Sequence, residues 1–189
     1  KLSNQMDAIL SVLEPFRKQL QGIVVESTYN WYWIVDGLME NEHIVHLSHP
    51  SANKQYEGLK YSDDNTDAFW LAHLLRLGIL REGYIYPKEE RPVRDLLRRR
   101  ILFVKQRTSQ ILSFQSMVTR HLAKRMSVNE IKKLDEEDVD DMFESPCLRL
   151  TAKSSISTIR FLTRIIRQIE KEAVSRARLR DEFKILTTI

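Results

Sequence analysis

The sequence is poor in the residues that staple or break a chain. Of 189 residues, one is cysteine, five are glycine and five are proline. A single thiol, Cys147, cannot close an internal disulfide or furnish a four-cysteine zinc site. It fits a reducing compartment and, with no base beside it in sequence, reads as inert. So few glycines and prolines favour long helices over a turn-rich all-β fold. No uninterrupted apolar run approaches the roughly 20 residues a helix needs to span a bilayer. The histidines, at 43, 46, 49, 73 and 121, show no zinc-ligand spacing with acids or with Cys147, and read as structural or surface groups.

What is present is an ordinary globular composition, 42% hydrophobic and 30% charged, with a net charge of +4. The length suffices for one or two small domains. The charge is unevenly placed. Arg91, Arg94, Arg98, Arg99, Arg100, Lys105, Arg107, Arg120, Lys124 and Arg125 share their window with one acid, Asp95. The next stretch reverses sign, with Glu130, Asp135, Glu136, Glu137, Asp138, Asp140, Asp141 and Glu144. A basic helix facing a polyanion, followed by an acidic connector, fits this asymmetry.

Periodicity predicts the elements. Met6, Ile9, Leu10, Leu13 and Phe16 mark one face of a first helix, ended by Gly22. Ile23 to Glu26 reads as a buried strand. A helix near 29–41 carries Trp31, Trp33, Ile34 and Leu38, and a second strand covers Ile44 to Leu47. Strand, helix and strand with short connections predict a parallel α/β arrangement. A polar loop, 51–62, leads to a helix from about Asp64 to Leu80. Trp31, Trp33 and Trp70 sit among aliphatics and read as core. After Pro92 the pattern changes to two long helices, about 93–124 and 155–183. In the second, Ile159, Leu162, Ile166, Ile169, Ala173 and Arg176 step by three and four, a heptad seam that Arg176 breaks. Such helices form an antiparallel hairpin or a dimer seam. The domain division expected is 1–92, 93–182 and 183–189.

Three carboxylates are candidates for chemistry. Glu26 ends a predicted strand, and ligands gather at the carboxyl ends of parallel strands. Asp64 and Asp67 share one face of a helix start. Together they offer hard oxygens of the kind that bind Mg²⁺. The competing reading is structural: Asp63 or Asp64 caps the helix, Asp67 favours its positive end, and Glu26 faces solvent. On spacing alone the structural reading is the commoner one.

A resemblance alters that balance. The run Glu26-Ser27-Thr28-Tyr29-Asn30-Trp31-Tyr32-Trp33 resembles the E-[ST]-T-G-x-Y-type motif of DEDD transposases of the insertion-sequence-110 family, which includes the Piv-like DNA invertases. Ser62-Asp63-Asp64-Asn65-Thr66-Asp67-Ala68 with Leu71-Ala72 resembles that family's K-[TS]-D-x-x-D-A-x-x-L-A motif. His49-Pro50 and Lys54 sit where the family often has N-P and a lysine. Arg94-Asp95-Leu96-Leu97-Arg98-Arg99-Arg100 resembles its L-R-x-L-x-R-x-R helix, and the end, Phe183 to Ile189, resembles the lead-in to a P-G-[IV]-G segment. Tyr29 departs from a common glycine and Asp63 from the usual threonine.

The resemblance implies a partial RNase H-like, RuvC-like domain followed by a long-helix coiled-coil region. It implies a DNA transposase or recombinase that cuts and joins DNA with Mg²⁺ or Mn²⁺, and that in some members is guided by a structured RNA. Glu26, Asp64 and Asp67 would be the second, third and fourth metal-binding acids. The first aspartate is expected upstream, since Asp7 lies in a predicted helix, and the nucleophilic serine is expected beyond Ile189, so the chain is expected to be truncated at both ends and inactive alone. Lys54, Lys60, Arg94, Arg98, Arg99, Arg100, Lys105 and Arg107 are the candidate nucleic-acid contacts, binding phosphates with little sequence preference. The alternative for the arginine-rich helix is a solvated face paired with the acidic segment. The family also implies assembly into dimers or tetramers through the long helices, no membrane, and a cytoplasmic, nucleoid-associated place in a bacterium or archaeon. Two rivals stand beside this reading: a RuvC-like DNA nuclease, and a non-enzymatic basic helical module that binds nucleic acid.

Overall fold

The computed structural model describes residues 2–53 and 63–178. Two compact units divide the chain between Tyr86 and Pro87. The helix that opens the second unit starts at Arg91, two residues before the expected Val93. Pro92 lies in its first turn, where a missing N–H leaves no bond unmade.

The first unit begins with α1 (Met6–Leu13). Its expected continuation to Gly22 does not form. Pro15 turns the chain into a short 3₁₀ segment, Glu14–Phe16, and Phe16 is exposed rather than buried. Strand β1 (Ile23–Glu26), helix α2 (Trp31–Glu40) and strand β2 (Val45–Ser48) follow. The strands pair in parallel, Ile23 with Val45 through Glu26 with Ser48. The mixed α/β expectation therefore holds as a two-stranded parallel sheet with its crossover helix.

Alternation along the strands divides their faces. Val25, Val45 and Leu47 pack with Trp31 and Val35 of α2. The buried positions of α2, Trp31, Val35 and Leu38, step by four and three along one stripe. Trp33 falls off that stripe and is 37% exposed, so it is not the core residue expected. Trp31 is core and Trp70 is half-buried.

Helix α3 (Asp64–Arg76) packs against β1. It ends four residues earlier than expected. Gly78 adopts φ +69°, the Gly78 amide donates to the Leu75 carbonyl, and the Ile79 amide reaches the Leu74 carbonyl. That pair of bonds satisfies the last carbonyls of the helix and needs a residue tolerant of left-handed φ. Beyond it, Asn53 ties the turn after β2 to the segment after α3. Its side chain donates to the Arg81 carbonyl at 2.6 Å and accepts from the Arg81 amide at 2.8 Å. It also donates to the hydroxyl of fully buried Ser48.

The second unit is a helical hairpin. Helix α4 (Arg91–Leu122) and helix α7 (Pro146–Arg178) pack along each other, joined by α5 (Val128–Ile131) and α6 (Glu136–Asp140). Arg100 meets Glu170 and Arg107 meets Thr163, so position rises in one helix as it falls in the other and the pair is antiparallel. Ile111, Phe114, Met117 and Val118 of α4 form one core with Ala152, Ile156 and Ile159 of α7. Ile131, Val139 and Phe143 close it from the connector. Both connector helices carry reciprocal caps, Ser127 with Glu130 and Asp135 with Asp138, which satisfy amides that so short a helix leaves open.

The heptad seam is thus used inside the chain. Ile159, Leu162, Ile166 and Ile169 are buried within a single copy. Of the two arrangements expected, hairpin or dimer seam, the described residues show the hairpin, and Ala173 and Arg176 lie past its well-buried part. The segment 183–189 lies outside the described residues.

Two substitutions test this packing. Ile159→Ala, which empties a fully buried site, is expected to lower unfolding free energy by about 2–5 kcal/mol in a urea titration. Gly78→Ala meets no neighbouring atom, so its expected loss of roughly 1–2 kcal/mol comes from the backbone alone.

Candidate functional site

Sheet geometry positions the first carboxylate. On the face of the sheet turned away from α2, β1 presents Val24 and Glu26 and β2 presents His46. Glu26 is the last residue of β1 and is exposed. Helix α3 lies over this face. Asp64, Asp67, Ala68, Leu71, Ala72, Leu75 and Arg76 recur at the three- and four-residue spacing of one helical face, and all of them line the same pocket. The pocket measures 720 Å³ and is walled at its other side by residues 19–22. Close approach there requires Gly22, since a Cβ at that position would lie 2.8 Å from the His46 ring.

Glu26, Asp64 and Asp67 therefore share one pocket, although almost forty residues separate the first from the second. The capping role that sequence left open falls to Asp63. Its Oδ1 accepts from the Thr66 amide and from the Thr66 hydroxyl, each at 2.7 Å. Those two bonds, the amide first, hold the Asp63 carboxyl below its ordinary pKa. Asp64 and Asp67, in the first turn of α3, are not the cap.

The donor chemistry suits a hard divalent cation, being all carboxylate oxygen. The arrangement is not a closed ligand set: among the described residues, no group of three or more His, Cys, Asp or Glu is placed to hold a metal ion. The residues present match Mg²⁺ or Mn²⁺ in kind, as an open rather than a closed ligand set.

Sequence reasoning passed over two pocket residues. His46 was read as structural; it lines the pocket, and its Nδ1 lies 2.9 Å from Glu82 Oε1. Arg76 brings a guanidinium to the pocket, 3.2 Å from His73 Nδ1. The periodicity of α3 contained the signal for Arg76, which lies on the stripe shared by Asp64 and Leu75.

The candidate nucleic-acid contacts separate into groups. Lys54 and Lys60 lie outside the described residues. Arg98, Arg99 and Lys105 project from α4 into solvent. Arg94 is half-buried, 3.8 Å from Asp95. Arg100 is committed to the hairpin, with Nε and Nη2 donating to Glu170 Oε1 at 2.8 and 2.6 Å. Arg107 also turns inward, reaching Thr163 with one nitrogen while its Nε is buried without a hydrogen bond. In this structure the partners of these two arginines come from α7. The acidic segment does not cover the rest. Asp135 caps α6, Asp140 pairs with Lys153 at 2.7 Å, and Glu136 accepts from Ser157.

No helix among the described residues is long and apolar enough to cross a membrane. Compared with known families and characterised proteins, the chain matches no family model and no curated sequence.

The Asp63 cap carries a pH signature. Its folded pKa is lowered, so its contribution to α3 is complete above the ordinary value of 3.8 and is lost as pH falls through the lowered one. A carboxyl NMR titration is expected to find Asp63 titrating below 3.8. Asp63→Asn is expected to retain the cap while removing its acid dependence.

Proposed function

We propose that this chain is part of a DEDD-type DNA transposase or recombinase, acting by metal-dependent phosphoryl transfer. One observation carries the reading: the three acids picked out by motif resemblance, Glu26, Asp64 and Asp67, line a single pocket at the carboxyl edge of a parallel strand. The strand–helix–strand crossover with a helix laid against β1 is compatible with the RNase H-like fold that belongs to this proposal.

In this reading Glu26, Asp64 and Asp67 hold Mg²⁺ or Mn²⁺ together with the family's first aspartate. Asp7 is not a candidate for that role, since it lies in the first turn of α1. The bound cation supplies Lewis-acid stabilisation for phosphodiester chemistry. The chain's own contribution is positional. Asp63 fixes the start of α3 and with it the acid pair, while Arg76 adds a cation that favours entry of a phosphate. Arg98, Arg99 and Lys105 add a solvent-facing basic strip on α4. DNA is the substrate, a structured guide RNA is a further partner, and several copies assemble through surfaces other than the α7 seam.

A second reading is a non-enzymatic, nucleic-acid-binding helical module. It is favoured by the lack of a three-ligand cluster among the described residues. Mn²⁺ titration by calorimetry separates the two. The metal reading expects the wild-type chain to bind Mn²⁺, and Glu26→Gln, Asp64→Asn and Asp67→Asn each to weaken it at least about tenfold. Equal uptake by all four proteins, or none by the wild type, sinks the metal site and leaves the module.

A further inference from the structure

A basic groove of the helical unit lies on α7, outside the arginine-rich helix that dominates the sequence. Arg160, Arg164, Arg167 and Lys171 step by four, three and four, which keeps them on one helical face. All four are exposed. Lys132 and Lys133, from the turn after α5, line the same 830 Å³ groove. Six cations from two segments thus converge.

The acids of the groove are already committed. Asp135 accepts from the amides of Glu137 and Asp138, and Glu136 accepts from the Ser157 hydroxyl. The Asp135 carboxyl is held below its ordinary pKa first by the Asp138 amide and further by Arg160, and Lys133 acts likewise on Glu130, so two of the six cations feel a nearby acid. No salt bridge among the described residues engages any of the six. Like charges three and four apart on a helix repel and weaken it. On α4, Arg100 relieves such repulsion by pairing with Glu170. Among the described residues the α7 face has no equivalent salt bridge, which makes a polyanionic ligand its natural counter-charge.

We propose that this groove binds the sugar-phosphate backbone of a nucleic-acid duplex. The twelve residues from Arg160 to Lys171 cover about 16 Å of helix axis. At roughly 3.4 Å per phosphate along one strand, that faces about five phosphates. A single-stranded ligand is disfavoured because stacking platforms are scarce: Phe161 is the one aromatic lining the groove, and Arg164 sits over it at 5.5 Å. The proposal deepens the function given above. It rests on that function only in taking nucleic acid, rather than another polyanion, as the ligand.

Fluorescence anisotropy tests it, with a labelled DNA duplex and an RNA duplex of matching sequence, across about 50–200 mM salt. The proteins compared are the wild type, an α7 variant (Arg160→Ala, Arg164→Ala, Arg167→Ala, Lys171→Ala), and its charge-keeping counterpart (Arg160→Lys, Arg164→Lys, Arg167→Lys). Alanine favours helix at exposed positions, and circular dichroism checks that α7 is retained. The α7 variant is expected to bind more weakly, with the slope of log affinity against log salt reduced by about 3–4. The lysine variant is expected to keep the slope. Equal loss on both duplexes, or a larger loss on one, supports the site and identifies the preferred backbone. An α7 variant with unchanged affinity and slope overturns it, as does a wild type that binds neither duplex. No Mn²⁺ binding by the wild type, with duplex binding that the α7 variant weakens, marks failure of the metal reading alone; Mn²⁺ binding that the carboxylate variants lose, with an α7 variant unchanged in affinity and slope, marks failure of the groove alone.

Discussion

Parallel strands cannot be joined by a tight turn, and this constraint organises the first unit. The chain must travel from the end of β1 back to the start of β2, and α2 makes that return. The crossover has two results. It covers one face of the sheet with Trp31 and Val35, and it brings both carboxyl ends, Glu26 and Ser48, to the same edge. The second face is left to α3, whose first turn carries Asp64 and Asp67. The shared pocket follows from this topology. Antiparallel pairing of the same residues would set Glu26 at the opposite end from the last residue of its neighbour.

The helical unit solves a different problem. Both long helices are mostly polar, and each has one apolar stripe that must be covered. Packing them antiparallel satisfies both stripes within one chain. The arginines are then sorted by where each falls around the helix. Arg100 and Arg107 lie toward α7 and serve the hairpin, while Arg98, Arg99 and Lys105 lie toward solvent. A row that looks uniform in sequence is two populations in space.

Much of this was legible from residue pattern, and the losses have identifiable causes. The apolar, β-branched runs at 23–26 and 44–47 marked the strands, the second displaced by one residue from the observed Val45–Ser48, because few other residues fit a half-covered pleated surface. The heptad seam of α7 showed as periodicity, yet periodicity cannot tell a partner in the same chain from one in another. Helix ends moved where one residue dominated: Pro15 shortened α1 and Gly78 ended α3. Trp33 was misassigned because a wide aromatic was weighed without its phase on α2. The acid trio was legible only through its motifs, since Glu26 carries no local signal that α3 will fold over it. The basic face of α7 was missed because Arg160, Arg164, Arg167 and Lys171 are diluted by seam residues and by Glu170 and Glu172. Local charge density hides what helical phase reveals.

The closed end of the hairpin has a further consequence. Ile131, Val139 and Phe143 wedge the connector against α4 and α7, and the contiguous core lies between Ile111 and Ile159. A heptad pattern alone tolerates one helix sliding past the other by a repeat, because apolar residues would meet apolar residues again. The wedge forbids that slide, since it is tied by short chain to both helices. Arg100 with Glu170 marks the same alignment about three turns beyond Ile111, the last core residue of α4. The hairpin therefore has an anchored end and a lightly held one. The stretch of α7 beyond Ile169 has fewer buried apolar residues than the core, the condition under which local opening costs least.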